Sequence, residues 1–197
     1  YLIEQDRLGI ESSEREFSQV GEDIDGLEIF AASDRSGYSV AMSTDGSRIA
    51  IGAKDNNNGG GSDSGHVRVY DYDGTSWTQV GQDIDGEASY DYSGWSVAMS
   101  DDGSRIAIGA YGNNGNGDNA GHVRIYDYNG TSWIQFAQDI DGEAAKDYSG
   151  SSVAMSSDGT RIAIGATRNN GNDSYISRRG HVRVYSYSNV QYFPLTN

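Results

Sequence analysis

Along most of this chain, hydrophobic and polar positions alternate with a period of two. In the stretch Ser39-Val-Ala-Met-Ser43, Val40 and Met42 fall on one side and Ala41 and Ser43 on the other; in Ile49–Ala53, Ile49, Ile51 and Ala53 oppose Ala50 and Gly52. This alternation predicts β-strands rather than helices. Both faces are uncharged, one bulky and the other small. Such a sheet suits a sandwich between copies of itself, because large side chains then fill the space above Ala and Gly. Asp45-Gly46 predicts a tight hairpin between the first two strands, with Gly supplying a positive φ. A third strand is predicted at His66–Tyr72, and a fourth begins at Trp77 after a Gly-Thr-Ser turn.

The pattern recurs. Gly37–Ala53 returns as Gly94–Ala110 and again as Gly150–Ala166, and the valines Val40, Val97 and Val153 lie 57 and then 56 residues apart. The Asp-Gly turns recur at Asp102-Gly103 and Asp158-Gly159, and the third strand recurs at His122–Tyr128 and His181–Tyr187. A period of this length marks stacked supersecondary units. Four antiparallel strands per unit describe one blade of a β-propeller. The expected fold is all-β, with three four-stranded blades and one extra N-terminal outer strand, a set too small to close a ring alone. Residues 1–16 match no later copy and read as a leader or the remnant of a preceding unit. Residues 17–26 form the orphan outer strand, because Phe17-Ser-Gln-Val-Gly21 aligns with Trp77–Gly81 and Trp133–Ala137. The blades then occupy 37–81, 94–137 and 150–197, with Tyr192, Phe193 and Leu195 in the last outer strand.

Composition narrows the functional classes. The net charge of −15 argues against binding a phosphate backbone, and no apolar run is long enough to cross a membrane. With no Cys there is neither a disulfide framework nor a thiolate metal site.

The motifs Gly-x-Ser-Val-Ala, Ile-Gly-Ala, Gly-His-Val-Arg-Val-Tyr and Trp-x-Gln resemble the FG-GAP repeat family across residues 17–187. Members include integrin α-subunit heads and secreted surface proteins of microbes and algae. The resemblance implies propeller blades and an extracellular or cell-surface location. Two departures matter. The name-giving Phe is Ser36, Ser93 and Ser149 here, and the Pro is Lys54, Tyr111 and Thr167. The calcium loop that integrin-type repeats carry between their first two strands is replaced by the short Asp-Gly turn.

Candidate chemistry lies in the acidic turns instead. Asp83, Asp85, Glu87 and Asp91 recur as Asp139, Asp141, Glu143 and Asp147, and less completely as Asp23, Asp25, Glu28 and Asp34. Alternate carboxylates with a Gly suit a calcium ion, which takes six to eight hard oxygens; an Asp-Gly turn with no ion accounts for the same residues. His66, His122 and His181 occur once per blade and read as structural. The loops Asp55–Gly65, Gly112–Gly121 and Thr167–Gly180 vary between copies and mark a binding rim. Asn129 and Asn172 stand in N-glycosylation sequons.

No nucleophile with its base, phosphate-cradling loop or unique acid pair is present, so the expected role is not catalytic. The sequence reads as an extracellular interaction or structural module for adhesion, matrix or filament assembly. Its partners would be other protein chains, either further copies of itself or missing blades of a longer chain. The alternative is a carbohydrate-binding or carbohydrate-active propeller that takes glycans at the rim of Asn172, Tyr175, Arg178 and Arg179.

Overall fold

The structure is a computed structural model, and it describes residues 16–26, 34–57, 60–169 and 179–187. Thirteen strands and no helix occur among the described residues. The first sheet comprises β1 (Ser36–Met42), β2 (Arg48–Ala53), β3 (His66–Tyr72), β4 (Trp77–Gln79) and β5 (Ile84–Asp85). The second comprises β6 (Ser96–Met99), β7 (Arg105–Ala110), β8 (His122–Tyr128), β9 (Trp133–Gln135) and β10 (Ile140–Asp141). The third holds β11 (Ser149–Met155), β12 (Arg161–Ala166) and β13 (His181–Ser186). All three are antiparallel and blade-like.

The register follows the alternation read from the sequence. Val40 pairs with Ile51, Met42 with Ile49 and Ala41 with Ala50, so the large residues share one face. In the hairpin, Gly46 takes φ 73°. The Asp45 carboxylate accepts hydrogen bonds from the Ser47 amide and from the Ser43 and Ser47 hydroxyls.

The outer strand departs from a plain fourth strand. β4 and β5 both pair with β3, and Gly81-Gln82-Asp83 bulges out between them opposite Arg68. The second sheet repeats this with β9 and β10 on β8. Residues 17–21 pair with no strand among the described residues, in keeping with an outer strand separated from the rest of its own blade. The segment keeps the outer-strand shape. Gly21 has φ 74° against 75° at Gly81, and Trp77 Nε1 donates to the Val20 carbonyl at 3.0 Å as Trp133 Nε1 does to Val80. The outer strand expected at Tyr192–Leu195 lies outside the described residues.

The core sits between sheets. Ala50, Val67, Val69 and Ile84 of the first sheet pack on Ile106, Ile108, Tyr126 and Trp133 of the second. Ala107, Val123 and Ile125 then pack on Ile162 and Ile164 of the third. A small face thus meets a large face at each junction. Glycine sets the approach, because a Cβ at Gly52 would drive into the Gly94 carbonyl, and one at Gly109 into the Gly150 carbonyl. That carbonyl takes a hydrogen bond from the preceding sheet, Ser39 Oγ to Gly94 O at 2.7 Å and Ser96 Oγ to Gly150 O at 2.8 Å. Arg48 links the same junction from the outside: it pairs with Asp71 of its own sheet, donates to Gly103 O and lies 4.7 Å over the Tyr128 ring.

Candidate functional sites

Three places stand out: the acidic turns at the sheet boundaries, an aromatic cleft, and the two outer faces of the stack.

At the acidic turns the bulge decides where each carboxylate points. Asp83 is carried back onto Arg68, which donates to both its oxygens at 2.8–3.0 Å, and Gln79 donates to it as well. This fork offsets the desolvation that would raise its pKa, leaving the carboxyl below its ordinary value. Asp85 pairs across the strands with His66; burial, and then Asp83, push its pKa up. Asp91 and Asp147 are buried and bond to backbone and amide. Asp91 accepts from the Ala88 amide and Asn113 Nδ2, and Asp147 from the Ala144 amide and Asn169 Nδ2. These two therefore anchor the loops after the second strand. Glu143 faces Arg183 and His181, at 3.6 and 3.7 Å. Asp141 has its pKa raised by burial and then by Asp139. In the first copy, Asp34 accepts from Asn56 Nδ2, Asp23 accepts from Gln19, and Glu28 lies outside the described residues.

The histidines do not meet one another, as their one-per-blade spacing implied. Each does meet carboxylates. His66 lies with Asp83 and Asp85, and His122 with Asp139 and with Glu87 of the preceding sheet. His122 is 1% exposed, and neither ring nitrogen has a hydrogen-bond partner. Burial, and after it Arg124, push its pKa down to about 4, so the ring is neutral at pH 7. An unpartnered buried polar group costs about 1–3 kcal/mol. The sequence could not show this meeting, because Glu87 belongs to a different repeat.

The cleft forms where the second and third sheets present their variable positions. Trp95, Tyr111, Tyr148, Ser151, Thr167 and Arg168 line about 360 Å³. Tyr111 stacks on Tyr92 at 5.2 Å and meets the edges of Trp95 and Tyr148 at 4.3 and 5.5 Å. Arg168 lies over Tyr148, and buried Lys54 over Tyr38, Tyr92 and Trp95. Tyr92 and Tyr148 each hold φ 56°, a left-handed conformation uncommon for bulky residues. In the rim anticipated from sequence, Asn172, Tyr175 and Arg178 lie outside the described residues. The sequon at Asn172 shares that position. Asn129 is exposed in its turn, its side-chain oxygen accepting from the Thr131 and Ser132 amides.

The outer faces are unlike and complementary. Val40 and Met42 of the first sheet are exposed, although their copies Val97 and Met99 pack in a junction. At the other end Val182 and Val184 are 68% and 67% exposed, whereas their copies Val67 and Val69 are at 0–1%.

No curated protein matches the chain. Among solved structures it is similar to Kuenenia stuttgartiensis hydrazine synthase, with 16% identity and a TM-score of 0.44 over 73% of this chain and 32% of that one. The chain thus spans about a third of that protein's length. The FG-GAP repeat family profile matches residues 83–126, from the first bulge into β8. Gly94–Ala110 within that match returns at Gly37–Ala53 and Gly150–Ala166, so the segment that matches the FG-GAP repeat is one of three copies of the same unit.

Proposed function

We propose that this chain is a non-catalytic extracellular module that assembles by stacking its end sheets, head to tail, on sheets of the same repeat. A second copy of the chain is the occupant that fits. One observation carries the reading: the two outer faces are the two halves of the junction already made twice inside the chain. Gly165 and Ser152 stand where Gly109 and Ser96 receive the Gly150 carbonyl, and no sheet among the described residues follows to meet them. Gly37, with φ 84° against 81° at Gly94 and Gly150, has none of the described residues within 4 Å of the Cβ position. Bringing Gly37 of one copy onto Gly165 of another reproduces the internal contact. The same move lays Val40 and Met42 on Val182 and Val184.

The outer-strand segment supports the same pairing. By repeat equivalence, Phe17 of one copy would replace the expected Tyr192–Leu195 strand beside Tyr187 of the other, with Gln19 beside Tyr185 and Asp23 beside Arg183, as Trp77, Gln79 and Asp83 lie beside Tyr72, Tyr70 and Arg68. Strand addition at an open edge supplies backbone hydrogen bonds, and head-to-tail contacts yield rings or filaments. Such assembly suits adhesion, matrix or filament building. Light scattering and electron microscopy over a concentration series test it. Closed or open oligomers that Val184→Asp disperses without unfolding are expected. A chain that stays monomeric at every concentration refutes the proposal.

A second reading, glycan binding, is favoured by the aromatic cleft. Flat rings beside Arg168 suit the apolar faces and hydroxyls of a sugar. A glycan array with a hydrolase assay separates the readings: binding lost in Tyr111→Ala, without turnover, supports a lectin role.

A further inference from the structure

We propose that Glu87, His122 and Asp139 form a binding site for a divalent first-row metal ion of the zinc class, at the boundary between the first two sheets. His122 Nδ1 lies 3.4 Å from Asp139 Oδ2 and 4.0 Å from Glu87 Oε2. All three ligand atoms fall within 4.8 Å of one another. A tetrahedral ion with bonds of about 2.1 Å sets its ligands about 3.4 Å apart, so the set needs only a small contraction. The ring nitrogen that faces the carboxylates is buried and has no hydrogen-bond partner. It is therefore an unpartnered ring nitrogen aimed at two anionic oxygens.

The remaining oxygens are held from outside. Gln135 Nε2 donates to Asp139 Oδ1, and Arg124 lies 3.5 Å from Glu87 Oε1 while also donating to the Asp85 carbonyl. That leaves Oδ2 and Oε2 for an ion, in the manner of outer groups that orient metal ligands. Arg124 is a nearby cation that opposes binding, and the nearby carboxylates of Asp91 and Asp141 offset its charge. Glu87 is half exposed, which gives an entry path and room for a water as fourth ligand.

The first sheet supplies an internal contrast. His66, Asp83 and Asp85 form the corresponding cluster, but there Arg68 occupies both Asp83 oxygens. In the second sheet Arg124 has turned to Glu87 and Asp85 of the preceding sheet, leaving Asp139 to His122. The ligand set also selects the ion. Imidazole with carboxylate suits Zn²⁺ and its neighbours, whereas calcium wants six to eight oxygens. The site thus differs in ion and in residues from a carboxylate-only calcium turn.

The test is titration of tag-free, chelator-stripped protein with ZnCl₂ and CaCl₂ by calorimetry, with the His122 ring followed by NMR. One Zn²⁺ per chain is expected, with the His122 resonances shifted and Zn²⁺ preferred over Ca²⁺ by about tenfold or more. Glu87→Gln and Asp139→Asn should each weaken binding about tenfold or more, and Asp83→Asn should leave it unchanged. Glu87→Gln alters a half-exposed side chain, and circular dichroism verifies that it folds. No heat and no shift at millimolar zinc, undiminished binding in both variants, or better binding of calcium would each overturn the proposal. The outcome does not depend on assembly.

Discussion

Truncating the same valine in two repeats separates the junction inside the chain from the face left open. Val69 and Val184 occupy equivalent positions in β3 and β13, yet Val69 is 1% exposed and Val184 67%. Val→Ala removes the equivalent of two methylene groups. At about 0.8 kcal/mol each, the transfer loss is about 1.6 kcal/mol. Val69 packs in the cluster with Ile106, Ile108 and Trp133, so a cavity remains and adds about 1 kcal/mol. Val69→Ala should therefore cost about 2–3 kcal/mol and lower Tm by roughly 5–10 °C for a domain of this size. Val184→Ala leaves no cavity in the isolated chain and should change its stability by less than about 0.5 kcal/mol. In the assembled state its side chain would take Val69's environment, so the substitution should weaken association instead. Urea unfolding at dilute concentration, with light scattering at high concentration, reads both effects. Equal losses for the two variants in the dilute monomer would refute the reasoning, since Val184 would then be covered within its own chain.

Three further outcomes follow from the geometry. Burial, and then Arg68 or Arg124, hold His66 and His122 at about 4, so protonation favours the unfolded chain, whose histidines titrate at about 6.5. Stability should be complete above about pH 6.5 and fall toward pH 4 by roughly 1 kcal/mol per pH unit per histidine; urea midpoints at pH 7 and 5.5 check this, and equal midpoints contradict it. The Ser47 amide, and after it the Ser43 hydroxyl, hold Asp45 down to about 2. Its contribution to the hairpin should be complete above about pH 4 and be lost as pH falls from there through about 2, seen as a carboxyl ¹³C titration near 2. Gly109→Ala should be far more disruptive than Gly165→Ala in dilute melts, because the first meets the Gly150 backbone and the second only the Ser152 side chain and backbone of its own sheet.

The strands, their hairpins and the large and small faces were legible because each follows from alternation within one repeat. Val40 opposite Ile51 and the Asp45 turn needed no knowledge of neighbours. The bulge was not legible. Gly81-Gln82-Asp83 reads as the end of a strand, and only the Arg68–Asp83 fork and the return of Ile84 onto Val67 show the ladder resuming. The same limit applies to the sites. Asp91 appeared as a ligand in a row of carboxylates, whereas its partner Asn113 comes from a loop 22 residues on. The cleft combines Trp95, Tyr111 and Tyr148, residues from two repeats whose own copies are Tyr38, Lys54 and Arg35. Variation at positions otherwise copied was the signal available.

The carbonyls of Gly94 and Gly150, seated on Gly52 and Gly109, carry one more consequence. At this point successive sheets touch backbone to backbone, so no rotamer change or side-chain swap can take up slack there. The contact acts as a fixed pivot, and outer contacts such as Arg48 on Tyr128 determine how far the sheets fan apart around it. Curvature is thus an inherited property of the repeat. Lengthening the array by gene duplication would add units at a constant angle, while the loops at its mouth stay free to diverge.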